Sequence, residues 1–195
     1  MGTKLILSLS AAGIAMAMGL AAASADDLTP KGNNPGERCA AAADKAASTG
    51  MVGTADADAC KQAVVWSHFV QEAAPAALVN SGILHLARSE YAEAVSDFNA
   101  AVQAGADESA VLNDRAIAET GLHQYAAAVA DYTKALAQKP DHAERIYFNR
   151  AIAYEEQGDL KNAYLDYRVA SQLDPSWTKA TKELARFTVT HPSMS

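Results

Sequence analysis

Between residues 75 and 175 the apolar and polar positions recur as a block. Arg115-Ala116-Ile117-Ala118, Ala128, Asp131-Tyr132, Ala135 and Pro140 return thirty-five residues later as Arg150-Ala151-Ile152-Ala153, Ala163, Asp166-Tyr167, Ala170 and Pro175, with Leu160 standing for Tyr125. A weaker copy lies 34 residues upstream, with Gly82, Tyr91, Ala94, Asp97-Phe98 and Ala101. Self-similarity at this period signals stacked units, each too small to bury its hydrophobic face alone. Three units follow, at 75–108, 109–143 and 144–175.

Each unit divides into two helices around a turn: Arg88-Ser89, Gly121-Leu122-His123 and Gly158-Asp159. A Gly there can close the first helix in the left-handed conformation, and Ser or Asp can cap the second. Asp141 with Glu144 three residues on suits a capping box, and Pro140 and Pro175 close second helices that neither could continue. Small residues recur at the expected crossings, Gly82, Ala116 and Ala151 on the first helices and Ala94, Ala128 and Ala163 on the second. Close helix packing needs small side chains at those points. Leu78, Leu112 and Tyr147, then Phe98, Tyr132 and Tyr167, fill the spaces between.

The flanks are less regular. Residues 38–74 read as a degenerate helical pair: an Ala-rich helix over 38–48 ended by Thr49-Gly50, then a helix over about 58–72 with acids in its first turn, burying Val64, Val65, Phe69 and Val70. Residues 176–190 read as a capping helix, Trp177, Leu184 and Phe187 covering the last repeat and Lys179, Lys182 and Glu183 facing water. Pro, Gly and Asn crowd residues 26–37 without any apolar period, which predicts a flexible arm. Residues 1–25 carry Lys4, an apolar run and Ala23-Ser24-Ala25, the pattern of a signal peptide cut after Ala25. The apolar run falls short of the about 20 residues that span a bilayer. The expected product is periplasmic or secreted, with no stable membrane anchor after cleavage.

Composition sharpens this. The 195 residues are half apolar and one-fifth charged, with abundant Ala and few aromatics, which favours an all-α domain. The net charge of −7 argues against nucleic acid or an anionic membrane as partner. Cys39 and Cys60 are the two cysteines. Export predicts a disulfide between them, contributing roughly 3 kcal/mol by closing its loop. No Cys-x-x-Cys or ligand-spaced His supports a metal or redox site.

The units resemble tetratricopeptide repeats, which carry a small residue late in the first helix, an Ala, aromatic and Ala series in the second, and a closing Pro. They depart from that pattern at Ala106, where Pro is expected, at His85 and Glu119, where Tyr is usual, and in the missing Trp at the opening of the second unit. The resemblance implies a right-handed α-solenoid whose first helices line a concave groove. The matching groove positions are Val79, Asn80 and Ile83; Asn113, Asp114, Ile117 and Thr120; and Phe148, Asn149, Ile152 and Glu155. That lining is apolar with amides and acids, and Phe148 reads as its aromatic anchor. Val79 and Ile83 stand where the family's carboxylate-clamp members need Lys and Asn, which disfavours a receptor for acidic chaperone tails. For Ile83, Ile117 and Ile152, packing between repeats is an equal alternative.

Asp97, Asp131 and Asp166 recur in step with Arg115 and Arg150, so they read as structural ion pairs between first and second helices and not as a catalytic set. His68, His85, His123, His142 and His191 lack metal spacing, and no nucleophile elbow, phosphate loop or zinc-protease motif occurs. The expectation is a non-enzymatic adaptor without cofactor or metal, binding a peptide or protein in its groove. The alternative is a self-associating envelope component, for instance a homodimer.

Overall fold

The computed structural model describes residues 34–67 and 74–187. The chain divides after Asn34, and the unit Pro35–Ser195 holds every element described here. The signal peptide and most of the arm, together with His68, Phe69, Val70 and His191, lie outside the described residues.

Among the described residues all regular structure is helical: α1 (Pro35–Thr49), α2 (Thr54–Ser67), α3 (Ala74–Ala87), α4 (Tyr91–Gln103), α5 (Glu108–Gly121), α6 (Tyr125–Ala137), α7 (Ala143–Glu156), α8 (Leu160–Leu173) and α9 (Thr178–Leu184). Each helix packs on the next. The first helices of successive pairs also touch one another, α1 with α3, α3 with α5 and α5 with α7, and so form one continuous layer. This is a helical solenoid. None of the described helices is long and apolar enough to cross a membrane.

The small residues set the spacing as the repeats require. Ala116, Ala128, Ala151 and Ala163 are wholly buried. A Cβ on Gly82 would come within 2.7 Å of the Phe98 ring, and one on Gly121 within 2.6 Å of the Tyr91 ring. Gly121 therefore serves close approach and not, as the sequence suggested, a left-handed helix end. In that turn His123 takes the left-handed conformation, as Ser89 and Gly158 do at the equivalent positions. Asp159 caps α8 by accepting from the Asn162 backbone N–H at 3.1 Å. The capping box expected at Asp141 does not form. Helix α7 starts after His142, itself left-handed, so Asp141 lies in the turn, too early to reach the first free amides.

The N-terminal pair is built from smaller parts. Cys39, Ala42, Ala43 and Ala46 form the buried stripe of α1, facing Ala59, Cys60 and Ala63 of α2. A disulfide joins Cys39 to Cys60 with their Cα atoms 4.5 Å apart. Both helices begin earlier than their sequence signals. Pro35 opens α1, where its missing N–H costs nothing; thus residues 35–37, assigned to the arm, are helical. At α2, Asp56 reaches back to the Gly53 backbone N–H at 2.8 Å, moving the start to Thr54. Val64 packs against the core cluster, whereas Val65, expected inside, is 62% exposed because the buried face of α2 runs through Cys60 and Ala63. The final helix ends at Leu184, shorter than the expected span. Trp177, Leu184 and Phe187 nevertheless pack on Phe148, Ala151 and Tyr167.

Candidate functional site

The layer of first helices carries a groove of about 620 Å³. It runs diagonally, from the end of α3 (Ile83, Leu86, Ala87) across the middle of α5 (Asn113, Asp114, Ile117) to the start of α7 (Arg145, Ile146, Asn149) and the Asp141-His142 turn. Ala46 and Ala47 of α1, with Gly50 just after it, supply the remaining wall. A second hollow of about 360 Å³ shares Ile117 and Asn149 with the first and extends it over Tyr91, Thr120 and Tyr132.

Ile83, Asn113, Asp114, Ile117, Thr120 and Asn149 thus line the groove or its extension. Ile83 and Ile117 do both things weighed for them, since each also packs against the buried core. The other five positions lie elsewhere. Val79 packs in the cluster around Phe98, and Asn80 is half-buried off the lining. Ile152 packs into the third repeat. Phe148, read as the anchor, is only 2% exposed, its ring 5.3 Å from that of Tyr167 and 4.9 Å from that of Trp177. The capping segment buries it. Glu155 is likewise drawn away, accepting from the Tyr167 hydroxyl at 3.0 Å and from Arg186 at 2.7 Å. The α1 wall was missed because residues 38–74 read as a cap alone; the signal available was that α1 continues the series of first helices.

The repeated Arg–Asp pairs join neighbouring helices. Arg115 donates from Nε to Asp131 at 2.6 Å and also bonds Asn99 of α4 and Glu108. Arg150 grips both oxygens of Asp166, at 2.7 and 3.0 Å, and reaches Thr133 of α6 at 2.9 Å, with the Tyr147 and Tyr154 rings beside its guanidinium. Each Arg therefore ties three helices together. In the first unit Ser81 occupies this place. There Asp97 Oδ2 is buried without a hydrogen-bond partner, and the nearest cationic candidate is His85 at 3.6 Å.

Two carboxyls carry unusual electrostatics. Glu119, buried where the third unit has Tyr154, is pushed up to about 7, first by desolvation and then by the Asp131 charge. Its Oε2 has no hydrogen-bond partner. Asp114, on the groove floor, is pushed above the usual carboxylate range by burial, with the Asn113 amide opposing the shift through a 3.0 Å bond. Among the described residues no group of His, Cys, Asp and Glu is placed to hold a metal ion.

Comparison with known proteins agrees with this architecture. Residues 144–176 match the family model described as tetratricopeptide repeat. A solved structure titled "MamA RS-1 ArsTM double mutant" aligns with a TM-score of 0.64, covering 79% of this chain and 83% of that one at 18% identity. At that identity the likeness concerns the fold. No curated relative matches the sequence. Residues 144–176 thus carry a tetratricopeptide repeat, and the helical pairs stacked before it share its architecture.

Proposed function

We propose that this protein is an exported scaffold that holds an extended segment of a protein partner in the groove across α1, α3, α5 and α7. The observation that carries the reading is the lining. Apolar walls from Ile83, Leu86, Ile117 and Ile146 flank the amides of Asn113 and Asn149, which can pair with the backbone of an extended chain while the walls take its side chains. The layer of first helices supplies this concavity, as solenoids generally do. Export rests on the leader and on a buried disulfide of the kind that persists in oxidising compartments.

A photo-reactive residue placed at Asn149 should crosslink a partner in living cells, and one at exposed Val65 should not. Equal adducts from both positions would remove the groove from consideration. Concentration-dependent dimers joined through the same position would instead make a second copy the occupant. Mass spectrometry of the exported chain should find Asp26 at its N-terminus; a retained leader would refute the localisation.

A further inference from the structure

We propose that Asp114, with Asn113, is the receptor for a lysine or arginine side chain of the bound segment. This rests on the groove reading above and assigns its specificity. The buried aspartates of the repeats have cations beside them, Asp131 with Arg115 and Asp166 with Arg150, and half-buried Asp97 has His85 at 3.6 Å. Asp114 has none within ion-pair distance among the described residues, and its hydrogen bond comes from the neutral Asn113 amide. The Asn113 Oδ1 atom is itself buried without a hydrogen-bond partner. Asp114 therefore lines the groove with a neutral amide as its hydrogen-bond donor and no cation beside it.

Packing does not demand this charge. The equivalent positions of the neighbouring repeats are Asn80 and Asn149, so an amide fits the fold at this point. A half-buried carboxylate without a cation is costly, and an incoming ammonium or guanidinium would relieve that cost. The surroundings suit the rest of such a side chain. Its methylene stem can lie along Ile83, Leu86 and Ile117 while the charged head reaches the floor. Around the groove Asp141 adds a negative and Arg145 a positive charge, and His142 lies beside Glu144 at 3.3 Å.

The test uses the full chain with its disulfide formed and blocked, fluorescein-labelled peptides of alanine and serine, each carrying one Lys, Arg, Gln or Glu. Lys and Arg peptides should bind about tenfold or more tighter than the Gln peptide, the worth of one charge-assisted hydrogen bond. Asp114→Asn should bring them to the Gln level, and Asp141→Asn should leave the preference in place. Lys and Gln peptides that bind equally well would overturn the assignment while sparing the groove. A preference that survives Asp114→Asn but not Asp141→Asn would move the cation to the lip and refute it too. Failure of every peptide to bind would sink the groove reading together with the assignment. Circular dichroism checks that the Asn variant keeps its helices, and the Lys-to-Gln ratio on the unaltered chain decides the matter even if it does not.

Discussion

The third repeat and the N-terminal pair meet the same packing problem with different materials. In the third repeat Phe148, Tyr167, Trp177 and Phe187 form an aromatic cluster, and Arg150 clamps Asp166 with both oxygens engaged. In the N-terminal pair the buried side chains of α1 and α2 are Ala and Cys, and the disulfide supplies what side-chain volume does not. The intermediate first unit has neither device at full strength, with Ser81 in place of Arg and Asp97 left partly unsatisfied. Repeat identity fades in the same order as the noncovalent cement, so a family pattern recognises the third unit while the groove depends on all of them.

The contrast can be tested by removing each kind of cement. Phe148→Ala should cost about 3–5 kcal/mol in urea denaturation, since it empties the centre of the aromatic cluster. A loss below about 1 kcal/mol would mean the capping segment does not bear on that ring. Arg150→Met should cost about 3 kcal/mol by leaving Asp166 buried and unpaired, whereas Asp97→Asn in the first unit should be near neutral. Equal costs would erase the distinction between the two repeats. Replacing Cys39 and Cys60 together by Ser should remove about 3 kcal/mol, with α1 and α2 losing amide protection before the rest.

Smaller effects concern single buried groups. Burial pushes Glu119 up to about 7 in the folded chain, against 4.5 for the free side chain of the unfolded one. The folded state therefore holds this proton more tightly, and its stabilising contribution is full below about 4.5 and fades as pH rises through about 7. Glu119→Gln should flatten the stability profile across that window by roughly 3 kcal/mol; an unchanged slope would place the titration elsewhere. Ser89→Gly should stabilise by about 1 kcal/mol, because Ser89 occupies the left-handed region at φ 59°.

The fold was legible because the repeat constrains it twice, through period and through small residues at fixed crossings. Ala151 and Ala163 could be placed inside from their spacing alone. The site was less legible because one helical position faces two ways. Phe148 and Asn113 share a repeat position, yet a ring beside Trp177 is buried and an amide beside Asp114 lines a groove. Glu155 was lost to the same neighbour, through Arg186. The α1 wall and the early starts of α1 and α2 depend on contacts that Pro35 and Asp56 hint at only once the neighbours are known. Helix ends shift with such local bonds, whereas the helices themselves do not.

Stacked repeats share a geometry that in principle has no last member, since the face one unit offers is the face the next would accept. The segment around α9 ends this series. Trp177 and Phe187 occupy the face that a fourth repeat would have used, and Lys179 and Lys182 stand exposed beyond it. A chain whose interfaces are head-to-tail grows into a filament unless an end is made unlike the middle. By covering that face, the short helix leaves the third repeat no open apolar surface for another unit to stack upon.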